Sequence, residues 1–229
     1  MHMSTKQEIF TLINGRVKMR RGIYNPTSDA VWLAAFAPRN AKSVLDVGIG
    51  SGGVSLCLMA NNPNAIITGI DISPEMLAAC DINTGLNNKH IELINADILT
   101  WRTDKTFDLV VTNPPYFNGT PAKHNAHHNA NIRTWISKSI SRVRPMGTFC
   151  IITDASTTAM AVAEMSKKLG SINIIPLFGA KNIAERVLIS GKLGTNGNTI
   201  LHKGFPMNYE PILRDGLTIE DILSKLTQK

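Results

Sequence analysis

The turn between the first strong strand and the helix after it constrains this chain more than any other feature. It reads Val44-Leu45-Asp46-Val47-Gly48-Ile49-Gly50-Ser51-Gly52-Gly53. An apolar run that ends in glycines is a strand meeting a helix through a backbone that bends sharply and leaves no Cβ to hold a ligand away. The chain then repeats the pattern. Residues 43–47, 65–70, 90–95, 107–112 and 148–152 are short β-rich runs, and 51–60, 74–86, 131–144 and 156–169 have helical length. Ser73 precedes Pro74 as an N-cap before a proline in the first helical turn, and Ile132, Trp135, Ile136 and Ile140 form one apolar stripe. Strands alternating with helices predict an α/β fold whose mostly parallel sheet is covered on both faces. Two runs with only a short connection, 172–177 and 186–189, place one antiparallel strand in it.

Three acids sit at the ends of three of these strands: Asp46, Asp71 and Asp97. In an open parallel sheet, strand ends on the carboxyl edge line the ligand crevice. Gly48, Gly50 and Gly53 also satisfy the dinucleotide fingerprint, with Asp71 roughly 20 residues on. The loop by itself fits either NAD or S-adenosylmethionine. Two details favour the second. A carboxylate at Asp46 repels a pyrophosphate and attracts the ammonium of a methionyl group. Asp97, in Asn95-Ala96-Asp97-Ile98, is placed to accept from an adenine amino group, and Asp71 offers two oxygens to the two ribose hydroxyls. The expected cofactor site is Asp46, Gly48, Gly50, Gly52, Asp71, Ile72, Asp97, Ile98 and Asn113.

The strand 107–112 ends in Thr112-Asn113-Pro114-Pro115-Tyr116-Phe117. Two prolines fix φ and stop further pairing, which holds Asn113 at the sheet edge. Its side-chain carbonyl and the main-chain carbonyl of Pro114 can each accept one hydrogen of a planar amino group. That leaves the nitrogen lone pair aimed at an electrophilic methyl carbon, so orientation and electrostatics supply the catalysis. Asn113, Pro114, Pro115 and Tyr116 are the expected catalytic residues, with Tyr116 and Phe117 stacking on and enclosing a flat acceptor. A base in structured RNA must unstack to reach such a site, and an aromatic face offsets part of that cost.

The net charge is +7, concentrated in two segments. Residues 1–42 hold seven Lys and Arg against Glu8 and Asp29, and residues 117–144 hold five with no acid. One precedes the glycine turn and the other follows the Asn-Pro-Pro-Tyr run, a distribution suited to a polyanionic partner such as RNA. Residues 15–21 alternate Val17 and Met19 with Arg16, Lys18 and Arg20, which reads as a half-buried strand with a positive outer face. Arg20 and Arg21 are the expected phosphate contacts, and Lys123 is a further expected substrate-binding residue. Cys57, Cys80 and Cys150 lie far apart within apolar segments, so neither a disulfide framework nor a zinc site is expected, and the chain is read as cytoplasmic. The apolar run 30–37 is too short to span a bilayer, so no membrane partner is expected, and the start MHMSTKQEIF lacks a signal-peptide core. The histidines of Lys123-His124-Asn125-Ala126-His127-His128 have no cysteine or placed acid beside them, and a substrate loop is expected there rather than a metal site. Thr218 caps a short final helix with Glu220 and Asp221 in its first turn.

In order, Asp46-x-Gly48-x-Gly50-x-Gly52, Asp71, Asp97 and Asn113-Pro114-Pro115-Tyr116 resemble the motifs of class I amino-methyltransferases. With Leu12 to Val17, Tyr24 to Asp29 and Ala184-x-Arg186-Val187-Leu188-Ile189, the chain is most similar to the bacterial tRNA1(Val) adenine-N6 methyltransferase family from about residue 12 onward. The resemblance implies a Rossmann-like, seven-stranded sheet whose last strand is antiparallel. It also implies S-adenosylmethionine as cofactor and, as acceptor, an adenine of tRNA 3′ of the anticodon. It departs from many relatives at Tyr24-Asn25, where they carry Tyr-Arg, and in the loop after Phe117, where they carry paired arginines. One methyltransferase domain over 1–229 is expected, with a basic extension (1–42), a catalytic core (43–193) and a C-terminal extension (194–229). Two other enzymes share the chemistry: a release-factor glutamine methyltransferase, in which a sizeable helical domain is expected where this sequence has a short segment rich in Arg and Lys, and a guanine-N2 ribosomal RNA methyltransferase.

Overall fold

Every strand from residue 43 to 193 joins one sheet, and alternate residues of those strands go to opposite faces. The computed structural model describes residues 8–22, 25–114 and 125–227, with side chains left aside for 125–131 and 225–227. The core strands are β3 (Ser43–Val47), β4 (Ile66–Asp71), β5 (Glu92–Asn95), β6 (Phe107–Thr112), β7 (Val143–Asp154), β8 (Leu169–Phe178) and β9 (Ala184–Leu193). Their order is β8-β9-β7-β6-β3-β4-β5, parallel throughout except for β9, which runs antiparallel to both neighbours. The chain reverses direction in the order at β3, between β4 and β6, and a ligand crevice opens at such a point.

Val44, Ile67, Leu109, Val111, Cys150 and Ile152 face one apolar cluster. It is covered by α1 (Ser28–Phe36), α2 (Gly53–Asn61) and α3 (Pro74–Leu86). Leu45, Val47, Ile70, Val110, Phe149 and Ile151 face the other, covered by α4 (Asn125–Ile140) and α5 (Thr158–Met165). The stripe Ile132, Ile136 and Ile140 is what α4 buries there. All three cysteines are buried, and burial pushes the Cys57 and Cys80 thiols up to about 12.

The two ends are built into this core. The expected basic strand, β2 (Val17–Arg20), pairs antiparallel with a strand not foreseen, β1 (Ile9–Leu12). Val17 and Met19 are buried in the first cluster. Asn87, the C-cap of α3, accepts from Lys18 N and donates to Lys18 O, while Asn83 of α3 accepts from Arg20 N, so two side-chain amides pair with β2 where another strand would. At the other end, β10 (Ile200–Leu201) and β11 (Phe205–Pro206) add two short parallel pairings to the outer edge of β8, extending the expected seven strands to nine. The short α6 (Glu210–Leu213) and α7 (Ile219–Thr227) return to α1. Thr218 and Asp221 cap α7 reciprocally: Thr218 N donates to Asp221 Oδ2 and Asp221 N to Thr218 Oγ1. Several boundaries also differ from expectation: α4 starts at Asn125 rather than 131, α5 ends at Met165 rather than 169, and β8 and β9 run beyond 172–177 and 186–189. The fourth helix ends at Ile140 rather than 144, and β7 starts at Val143, because residues 143–147 are drawn into the ladder beside Phe107 before a register shift. No helix among the described residues is long and apolar enough to cross a membrane.

Candidate active site

A cleft of about 640 Å³ opens over the carboxyl ends of the central strands. That volume lies within the range of roughly 300–1,000 Å³ usual for small-molecule sites. The glycine turn forms its floor. Gly48 N and Ile49 N both donate to Ile70 O, which ties the turn to the end of β4. Gly48 has φ +74, and a Cβ there would lie 3.1 Å from Cζ2 of Trp135, an indole that also lines the cleft. Gly50 has φ +55 with open space where a Cβ would go. The backbone is bare on the side a ligand would occupy.

Asp71 and Asp97 stand along one wall. Asp71 accepts from Gly50 N through Oδ2 and from Ser73 N through Oδ1, both at 2.9 Å. A carboxylate has about four lone-pair directions, so two backbone bonds fix the side chain and leave each oxygen able to accept a hydroxyl. Asp97 is fixed similarly, accepting from Leu99 N at 2.9 Å. Ile72, 68% exposed, and Ile98, buried, supply apolar surface on the same wall. Across the cleft stand Asn113 and Pro114, carried there by β6.

Of the expected cofactor residues, the cleft gathers Gly48, Gly50, Asp71, Ile72, Asp97, Ile98 and Asn113, but neither Asp46 nor Gly52 lines it. Gly52 is turned toward α3 as the N-cap of α2, and a Cβ there would meet the sulfur of Cys80 at 2.7 Å. Asp46 shares the face of Val44, so it points under α2, where Ser55 Oγ donates to Oδ2 at 2.7 Å. The carboxyl is 1% exposed, and its Oδ1 has no hydrogen-bond partner among the described residues. Burial pushes its pKa up to about 7, against the Ser55 hydrogen bond and with some help from the charge of Asp71. A buried acid with one orphaned oxygen directly behind the turn suits a cation in the cleft, since positive charge nearby favours its ionised form.

Pro115, Tyr116, Phe117 and Lys123 lie outside the described residues, as do Tyr24 and the side chains of His124, His127 and His128. Arg20 and Arg21 are away from the cleft on the β1–β2 hairpin, where Arg21 pairs with Glu8 at 2.8 Å and stacks over Phe10. Lining residues not singled out from the sequence as site residues include Asp29, Trp135, Arg186 and Met207. Met207 follows β11 and is fixed by its main-chain carbonyl, which accepts from Trp32 Nε1 at 3.0 Å. In the sequence Trp135 reads as part of a core stripe, and Asp29 and Arg186 enter only as members of the segments that carry the family resemblance, with no site role attached.

Residues 27–177 match the family model of the methyltransferase small domain. Over 182 residues the chain is 31% identical to the tRNA1(Val) (adenine(37)-N6)-methyltransferase of Flavobacteriaceae bacterium (strain 3519-10), covering 76% of this chain and 78% of that one. Over a shorter stretch of 86 residues it is 40% identical to the release factor glutamine methyltransferase of Flavobacterium psychrophilum, 37% of this chain and 30% of that one. Among solved structures, a predicted O-methyltransferase from Agrobacterium tumefaciens superposes with a TM-score of 0.65 at 21% identity, over 78% of this chain and 86% of that one. That likeness is one of fold, a class I methyltransferase sheet with helices on both faces. The family model and the flavobacterial relative both run across the cleft and the sheet beneath it, and the chain belongs to the methyltransferase small domain family and to the tRNA1(Val) (adenine(37)-N6)-methyltransferases within it.

Proposed function

We propose that this protein transfers a methyl group from S-adenosylmethionine to the exocyclic N6 of an adenine in tRNA, 3′ of the anticodon. The observation that carries the reading is the position of Asn113. The residue lines the same cleft as Gly48, Gly50, Asp71 and Asp97, so an amide fixed at a strand end faces the ground suited to an adenosine-bearing cofactor. When bound, that cofactor supplies an electrophilic methyl group on a sulfonium.

The chain's own residues provide the rest. Asp71 takes the ribose hydroxyls, Asp97 accepts from the adenine amino group, and Ile72 and Ile98 flank the ring. On the acceptor side, Asn113 Oδ1 and the carbonyl of Pro114 each accept one N–H of the substrate amine. The nitrogen lone pair is then directed out of the base plane toward the methyl donor. No side chain needs to remove a proton before transfer, because the acceptor becomes a strong acid only once the fourth bond has formed. Orientation dominates the rate. Tyr116 and Phe117 are assigned to hold the flipped base by stacking, and Arg20, Arg21 and Lys123 to the RNA backbone. With tRNA as substrate, the reaction takes place in the cytoplasm.

The match to a release factor glutamine methyltransferase supports the shared amide-acceptor chemistry but is confined to 86 residues. The test is incubation of purified protein with radiolabelled S-adenosylmethionine and, separately, total tRNA, ribosomal RNA or release factor. Nucleoside mass spectrometry of the labelled fraction should find N6-methyladenosine in tRNA. Label in glutamine or in N2-methylguanosine instead would replace this reading.

A further inference from the structure

Arg186, the third residue of β9, stands directly opposite Asp154 at the end of β7, and its guanidinium reaches two carboxylates. Nη1 lies 2.6 Å from Asp154 Oδ1, and Nε lies 3.1 Å from Oδ2 of Asp29, the second residue of α1. Asp29 is 3% exposed, yet both Asp29 and Arg186 line the cleft. Replacing a buried ion pair with apolar residues is often neutral or stabilising, so stability gives little reason for this one. Trp32 and Leu33, fully buried, already pack α1 onto the sheet. Oppositely charged groups placed together on a cleft wall suit a ligand that carries both charges.

Position along the sheet says which part of the ligand that is. Asp97 follows β5 and Asp71 ends β4, on one side of the glycine turn; Asn113 follows β6, and Arg186 stands on β9, on the other. A ligand with its nucleoside at Asp71 and Asp97 projects its remaining atoms across the turn toward Asp29 and Arg186. In S-adenosylmethionine those atoms include one carbon that bears both an ammonium and a carboxylate. Asp46, the acid the sequence offers for that ammonium, is under α2 and does not line the cleft.

We propose that Asp29 receives the α-ammonium and Arg186 the α-carboxylate of the methionyl end, with Asp154 holding the guanidinium at the sheet edge. This rests on the cofactor reading given above. Arg186 has a second role, since its Nε bond to Oδ2 of Asp29 keeps that carboxylate aimed. Asp46 becomes a buried acid behind the turn rather than a contact.

Calorimetric titration with S-adenosylhomocysteine and with 5′-methylthioadenosine tests this, because the second ligand keeps the adenosine and the sulfur and lacks both charged groups. The intact protein should prefer S-adenosylhomocysteine. Asp29→Asn and Arg186→Gln should each weaken S-adenosylhomocysteine roughly 10- to 100-fold while leaving methylthioadenosine within about twofold, which collapses the preference. Retained methylthioadenosine binding shows that a variant is folded. If either variant fails to fold, Arg186→Lys, which keeps the charge and loses the fork, should cut the preference by a smaller factor. Equal losses for both ligands, or no preference in the intact protein, would overturn the proposal while leaving the cofactor reading standing. Binding of neither ligand to the intact protein would sink both.

Discussion

The indole N–H of Trp135 donates to the hydroxyl of Thr112 at 3.0 Å. That hydroxyl in turn donates to the carbonyl of Val47 at 2.8 Å. Thr112 is the last residue of β6 before Asn113, and Val47 is the last of β3 before Gly48, so one side chain from α4 ties the amide-bearing strand to the glycine turn. The Trp135 ring also lies against Gly48. Trp135→Phe removes the donor together with the outer part of the indole that lies against Gly48, leaving a buried hydroxyl oxygen short of one partner. It should cost about 1–2 kcal/mol of stability and weaken S-adenosylhomocysteine several-fold. Chemical denaturation and calorimetry would measure both. A neutral variant would mean the bond does not brace the site.

The two glycines that face the cleft should separate fold from ligand. Alanine at Gly48 must adopt φ +74 and also push against Trp135, whereas alanine at Gly50 meets only its own φ of +55. Left-handed backbone costs a non-glycine residue about 1–2 kcal/mol. Gly48→Ala should therefore lower the Tm distinctly more than Gly50→Ala, while Gly50→Ala should reduce cofactor affinity by at least about tenfold, because its methyl enters the open space over the turn where the ligand approaches. Equal stabilities for the two would show that Trp135 yields readily.

Much of this was legible in the sequence because the strands obey a period of two. Val44 and Leu45, or Leu109 and Val110, separate cleanly to opposite faces. The same period puts Asp46 on the face of Val44, under α2, and following it would have moved that acid away from the ligand. The helix α1 could not be read from amphipathic spacing, since every residue from 29 to 35 is buried between the sheet and the helices that cover it. β1 is four residues long, too short for its alternation to stand out. Asp29 and Arg186 are 157 residues apart, and Met207 enters the cleft only because β11 follows the edge of β8. The segments around Asp29 and Arg186 carry the family resemblance, but their meeting depends on the folded path and leaves no local pattern. The glycine turn, Asp71, Asp97 and Asn113 do leave one, because each terminates a strand on the same edge of the sheet.

Asn113→Ala should reduce methyl transfer by about 10²–10³-fold or more, the usual loss for one oriented polar group at a reacting centre. Cofactor affinity should stay within about threefold. Asn113→Asp keeps an acceptor oxygen in place and should retain measurable turnover. Single-turnover assays alongside calorimetry separate the two effects. Turnover in the alanine variant comparable with the intact protein would remove the orienting role.

Asp46 gives the ligand-free protein a characteristic pH dependence. Its carboxyl rises from the ordinary 3.8 to about 7 in the fold, so the folded state holds this proton more tightly than the unfolded state. Below 3.8 both states are protonated and the burial of a neutral group costs little. As the pH rises from about 4 to about 7 the folded state must increasingly bury a charge or keep a proton that the unfolded chain releases, and stability falls by at most about 4 kcal/mol. Glu75 and Glu92, held below their ordinary range by hydroxyl donors from Ser73 and Thr68, act oppositely and at lower pH. Asp46→Asn should flatten the decline between pH 5 and 7 in urea melts. An unchanged slope in that variant would assign the proton elsewhere.

The hairpin arginines test the RNA reading through salt. Arg21 is engaged with Glu8, but both side chains are largely exposed, at 56% and 73%, and such a surface pair is worth about 0–1 kcal/mol. A polyanion can replace Glu8 at small cost. Arg20 is presented from a main chain that Asn83 of α3 holds in place, so its position on the hairpin is set before any RNA arrives. If both meet phosphates, Arg20→Gln with Arg21→Gln should weaken tRNA binding and reduce the slope of log affinity against log salt by about 1 for each phosphate no longer neutralised. Arg21→Gln alone should weaken binding less than Arg20→Gln, because the intact protein must first give up the Glu8 pair. Cofactor titration should be indifferent to all three variants, since neither arginine lines the cleft. A salt slope that does not move in the double variant would leave the hairpin a solvated face and shift the search for phosphate contacts to the basic residues of α4.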